Sequence, residues 1–103
     1  MNILPEECES LEQVRACMDT LDRELIALIA RRVAYVRAAA RFKPSAEAVA
    51  DHGRMNAVFA TRRAWAEEAG LSGAAVEALY RDLVSYCVSE EKMYWDRLSS
   101  DVS

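Results

Sequence analysis

From Leu11 to Ala39 apolar side chains recur alternately three and four residues apart, at Leu11, Val14, Met18, Leu21, Leu25, Leu28, Tyr35 and Ala39. Arg32 occupies the one position of that series where a cation stands in place of an apolar residue. Such spacing keeps one stripe of an α-helix apolar, and its length marks a coiled-coil-like seam. Ser10 with Gln13 three residues on is a capping-box pattern, and Pro44 stops a helix, so the spacing predicts helix over about residues 10–43. At about 1.5 Å per residue this helix reaches roughly 50 Å. A compact chain of this size has a radius of gyration of only about 13 Å. One short chain cannot cover both ends of such a rod. A second copy laid along the seam is the economical solution, and an intertwined homodimer is expected.

Residues 44–53 (PSAEAVADHG) lack a clear period and read as a loop or frayed turn. A second helix is predicted over about 54–69, closed by Gly70, and a third over about 72–98, capped by Ser72. The third carries the stripe Val76, Tyr80, Val84, Cys87, Glu91, Trp95 and Leu98, with Leu79 and Leu83 alongside. No segment alternates with the period of a strand. The expectation is an all-α, three-helix single domain over 1–103 with a long first helix. Three Gly and two Pro in 103 residues fit few turns.

Charge sharpens this outline. Net charge is −4 overall, yet residues 31–63 hold eight cations (Arg31, Arg32, Arg37, Arg41, Lys43, Arg54, Arg62, Arg63) against Glu47 and Asp51. The segments on either side are acidic. A basic middle between acidic flanks suits a small local anion better than a polyanion, and no nucleic-acid-binding motif occurs. Cys8, Cys17 and Cys87 are odd in number and form no C-x-x-C pair, so a disulfide framework or zinc knuckle is not expected and idle thiols are. The acidic opening MNILPEECES has no long apolar run, so neither secretion signal nor membrane anchor is expected, and the cytoplasm is the expected compartment.

Few residues carry recognisable chemistry. Arg32, on the apolar seam, calls for an anion, either a carboxylate of another helix or one of a ligand. Lys43 stands eleven residues on, close to three helical turns, so a continuous helix would turn both toward one ligand. Arg15 lies about 100° off that face and about 25 Å away, within reach of the same ligand only from the other chain of an antiparallel dimer. Glu91 sits in the apolar stripe between Cys87 and Trp95, where a carboxyl pairs with a cation or is protonated by desolvation. Glu90 beside it is expected to face solvent, and His52, the only histidine, to be a loop residue. No phosphate loop, H-E-x-x-H or EF-hand pattern is found, so no metal or cofactor is expected. A cationic, hydrogen-bonding set without a nucleophile suits a reaction that holds a dianion in one conformer while charge grows on an ether oxygen.

From about Pro5 to Trp95 the sequence resembles the all-helical chorismate mutase family. The likeness is carried by PEEC at 5–8, LEQVR at 11–15, LDRELIALIARR at 21–32, YVRAAARFKPS at 35–45, RAWAEEAGL at 63–71 and YW at 94–95. Within the family it is most similar to the salicylate-forming isochorismate-pyruvate lyases of siderophore pathways. The resemblance implies that Arg15 of the partner subunit binds one substrate carboxylate and that Arg32 holds the enolpyruvyl carboxylate. It further implies that Lys43 meets the ether oxygen or a carboxylate, closing with the 44–53 loop, and that Arg54 lines the pocket. Two positions depart from the common pattern. Glu91 stands where the lyases and many mutases have a hydrogen-bond-donating Gln, and only a protonated Glu91 donates. Met55 replaces a substrate-contacting Glu of typical bacterial mutases, which fits the apolar residue of the lyases. Three readings follow. They are a lyase of isochorismate, a mutase of chorismate or 4-amino-4-deoxychorismate, and a non-catalytic dimerisation module.

Overall fold

The computed structural model describes residues 3–101. Among them are three α-helices, α1 (Leu11–Ala40), α2 (His52–Glu68) and α3 (Gly73–Asp101), two short 3₁₀ turns (Pro5–Glu7 and Glu47–Val49), and no strand. The chain is all-α, as its periodicity predicts, and each boundary has a local cause.

The Ser10 hydroxyl accepts the Gln13 amide at 3.1 Å, satisfying one of the amide donors that begin α1. Gln13 answers by accepting the Glu9 amide at 2.7 Å, one residue upstream of the usual partner in a capping box. At its other end α1 stops at Ala40, three residues before the expected end. The amides of Arg41, Phe42 and Lys43 bond back three residues, to Ala38 (3.3 Å), Ala39 (3.0 Å) and Ala40 (3.2 Å). The last turn thus tightens ahead of Pro44, whose ring bars the preceding residue from α geometry. Lys43 therefore lies beyond the helix, and the three-turn spacing expected between it and Arg32 does not hold.

The segment read as a loop is partly ordered. Ser45, ahead of the second 3₁₀ turn, accepts the Ala48 amide at 3.3 Å, and Val49 within that turn is buried. Asp51 then accepts the Arg54 amide at 3.0 Å as the N-cap of α2. As a result α2 begins at His52, two residues earlier than expected, and His52 is an exposed helical residue rather than a loop residue. Gly70 closes α2 with φ +81°, a left-handed conformation that favours glycine. Its amide bonds to the Glu67 carbonyl at 3.0 Å and that of Leu71 to the Ala66 carbonyl at 2.9 Å, the paired bonds of a Schellman ending. Ser72 caps α3 through the Ala75 amide at 3.2 Å, and α3 continues to Asp101, beyond the expected end at Leu98.

The chain forms two compact units, one up to Ala34 and one from Tyr35 onward. In the second, Val58 and Phe59 of α2 meet Val84 of α3 in a buried cluster, with Met55, Tyr80 and Val88 packed against it. Polar side chains brace the same pair of helices. Glu77 of α3 accepts from Arg63 of α2 at 3.2 Å and from Arg81 at 3.0 Å, and these bonds hold its carboxyl below the ordinary range. The Arg81 guanidinium lies 4.4 Å from the Phe59 ring centre and that of Arg62 5.9 Å from the Tyr80 ring centre, cation–π contacts between the two helices. The predicted stripe of α3 is buried or half-buried throughout, whereas Leu79, placed beside it from the sequence, is 69% exposed.

The first unit is built differently. Val33 is its one buried hydrophobic among the described residues. Leu11, Met18, Leu21, Leu25 and Leu28 of the seam are all exposed, Leu25 and Leu28 at 55% each. A single chain leaves open the stripe that its sequence makes most regular.

Candidate active site

The second unit brings together two of the residues singled out from sequence. Glu91 is 5% exposed, one turn after buried Cys87 and one turn before half-buried Trp95 on α3. The Lys43 ammonium lies 3.9 Å from the Glu91 carboxylate oxygen Oε2. Lys43 Nζ also donates to the Ala48 carbonyl at 3.4 Å, so the side chain reaches forward to the 3₁₀ turn at Glu47–Val49. The Trp95 indole N–H donates to the Lys43 carbonyl at 3.1 Å. A chain that has just left α1 is thereby attached to the face of α3 that carries Glu91.

Burial pushes the Glu91 carboxyl above its ordinary range, and the nearby Lys43 ammonium only partly offsets it. Desolvation penalises the charged form more than one cation at this distance favours it. The neutral acid therefore persists to higher pH than in a free glutamate, and a neutral carboxyl has an O–H to donate. When Glu91 is protonated, it and the Lys43 ammonium are two donors a few ångströms apart. Such a pair can stabilise an oxygen that gains negative charge between them.

Other expected site residues are placed as follows. Arg54 lies in the first turn of α2, its amide on Asp51 and its side chain exposed. Met55, next to it, is half-buried against the Val58–Phe59–Val84 cluster, so it helps to hold α2 on α3. Arg15 is exposed and Arg32 half-buried on α1. Glu90 does not simply face solvent. It pairs with Arg37 at 3.4 Å and accepts a hydrogen bond from the Tyr86 hydroxyl, which raises the tyrosine pKa. That pair ties the last turn of α1 to the body of α3, although the helical angle alone points Glu90 to water. None of the three cysteines forms a disulfide; Cys87 lies in the core and Cys8 and Cys17 are half-buried. Burial and the neighbouring Cys17 thiol raise the Cys8 pKa, which keeps it a poor nucleophile.

Sequence reasoning missed the Trp95–Lys43 bond and the Asp51 cap. Asp51 had a readable signal, an acidic residue three before the amide it accepts. Trp95 had none, because its partner is a backbone carbonyl 52 residues away. Among the described residues, no three of His, Cys, Asp and Glu gather to hold a metal ion, and no helix is long and apolar enough to cross a membrane.

The described residues thus form three helices without a strand, the first of thirty residues, and set a lysine against a buried acid. Residues 14–92 match the chorismate mutase type II family, and the chain belongs to it. Among its relatives, an isochorismate pyruvate lyase of Pseudomonas aeruginosa is 36% identical over 91 residues, which span 88% of this chain and 90% of that protein.

Proposed function

We propose that the chain is an isochorismate-pyruvate lyase. In the reaction the ether C–O bond breaks while a ring hydrogen passes to the enolpyruvyl methylene, so that pyruvate leaves and the ring becomes that of salicylate. No electrons or atoms are left over, and the step requires no cofactor. Charge collects on the departing ether oxygen, where an ammonium and an acid O–H lower the barrier by electrostatic stabilisation. The observation that carries the reading is the Lys43–Glu91 pair, 3.9 Å apart with Glu91 buried. Arg32 and Arg54 supply cations for the substrate carboxylates, and Met55 presents an apolar wall in place of a carboxylate. The similar Pseudomonas protein names the reaction. The substrate is thus a small dicarboxylate, and the product, salicylate, enters siderophore or other secondary metabolism. Three cysteines that form no disulfide support a cytoplasmic setting.

Purified protein given isochorismate should release salicylate, followed by its fluorescence, with chorismate run in parallel. Absence of salicylate from folded protein would transfer the assignment to the second reading. That reading, a Claisen rearrangement of chorismate or 4-amino-4-deoxychorismate, is favoured by Glu91, which departs from the lyase pattern at the ether-oxygen position.

The same proposal includes a homodimer with shared sites. The exposed seam of α1 supports it, since a contiguous apolar face of this length is rare on a monomer. A depression of about 340 Å³ lined by Pro5, Cys8, Val14, Cys17, Met18 and Leu21 continues the same face. In this assembly Arg15 of the partner subunit completes each site. Inactive Arg15→Ala and inactive Arg32→Ala proteins, mixed and allowed to exchange subunits, should recover part of the activity in heterodimers. Confirmed exchange without recovery rules out sites shared across chains.

A further inference from the structure

Lys43 stands outside regular structure, between the end of α1 and the 3₁₀ turn at Glu47–Val49. A catalytic group on such a segment has no helix to hold it, and its placement must come from elsewhere. Its neighbour Pro44 has no amide to contribute to a local turn. The carbonyl of Lys43 is instead taken by the Trp95 indole N–H at 3.1 Å. Trp95 is half-buried and one helical turn after Glu91 on α3, so both residues lie along one side of that helix. The helix that carries the acid thus also fixes the backbone of the lysine. The Nζ bond to Ala48 then directs the side chain.

We infer that Trp95 is a positioning residue for the reaction, its indole N–H fixing the Lys43 backbone so that the Lys43 ammonium is held against Glu91. The inference rests on the proposed catalytic roles of Lys43 and Glu91. Trp95 bonds to the Lys43 backbone, and it acts by setting the distance between the two groups. The charge that acts on Glu91 is the Lys43 ammonium. Cys87 lies one turn before it on α3, Arg37 of α1 is engaged with Glu90, and α2 presents the apolar side chains of Val58 and Phe59 to α3. Release of Lys43 therefore alters the Glu91 acidity through one interaction.

The test uses Trp95→Phe in the full-length protein, with the fold checked by circular dichroism. Benzothienylalanine at the same position keeps the indole shape, replaces the N–H by sulfur, and serves if the Phe variant does not fold. Trp95→Tyr, a ring that retains a donor, should recover part of any loss. Two readouts are taken, the Glu91 carboxyl titration by NMR in the free protein and kcat in wild-type and Lys43→Ala backgrounds. The expected result is a higher Glu91 pKa and a fall of about tenfold in kcat that disappears when Lys43 is already Ala. An unmoved Glu91 titration overturns the positioning role, and so does an undiminished loss in the Lys43→Ala background. A raised Glu91 pKa with kcat unchanged in both Trp95→Phe and Lys43→Ala leaves the hold on Lys43 standing and overturns the catalytic reading of the pair.

Discussion

Lys43→Ala is expected to lower kcat by about 10²–10³-fold, the usual cost of deleting one donor from a site that stabilises growing negative charge. The fall should appear in kcat as well as in kcat/KM, because in the proposed mechanism the ammonium contributes most once the ether oxygen carries charge. A raised KM at unchanged kcat would reassign Lys43 to binding the ground state, with the carboxylate rather than the ether oxygen as its partner. The variant has a second consequence. Without Lys43, nothing offsets the burial of Glu91, so the carboxyl should titrate at still higher pH than in the wild type. The residual activity of Lys43→Ala should therefore persist to higher pH than wild-type activity does, even though its level is far lower. The level of activity falls while its pH limit rises, which separates loss of a charge from general damage to the site. Arg37→Ala is a useful control, since it removes a nearby cation engaged with Glu90 rather than Glu91.

The helices were readable because their signals are local. Ser10, Pro44, Gly70 and Ser72 each act on amides or carbonyls within a few residues, and all four lie at or close to a helix boundary. The stops were less readable than the starts. Pro44 predicts an end, but not that the last turn tightens and α1 is over by Ala40. That small error matters for the site, because it removes Lys43 from the helix on which its spacing from Arg32 had been reckoned. The burial of Glu91 followed from its place among apolar neighbours on one stripe. Its meeting with Lys43 did not follow, since no period links residues on different elements, and only the family resemblance set them side by side. Glu90 shows the limit of periodicity from the other direction. A residue 100° from a buried neighbour lies on the border between core and water, and what decides its fate is whether a cation such as Arg37 stands opposite.

Glu91→Gln should change the pH dependence of the enzyme and its stability together, in directions fixed by the raised pKa. In the proposed mechanism the donor is the protonated carboxyl, whose population falls about tenfold per pH unit above its pKa. Activity should therefore decline with rising pH across the window above the ordinary carboxylate range. A Gln amide donates at every pH, so the variant should hold a level profile, match the wild type in acid, and exceed it by a factor that grows with pH. Stability has the same sign. A carboxyl whose folded pKa is raised contributes most below its unfolded value of about 4.3. That contribution is lost as pH rises through the folded value, by at most about 1.4 kcal/mol per pH unit between the two. The thermal midpoint of wild type should fall relative to Glu91→Gln over that interval and run parallel to it elsewhere. The measurement is kcat/KM with isochorismate from about pH 5 to 8, beside melting curves in the same buffers. A level wild-type profile, or a Gln variant inactive throughout, would remove Glu91 from the role of donor. Loss of the pH slope in activity and stability at the same substitution would locate both in one buried proton.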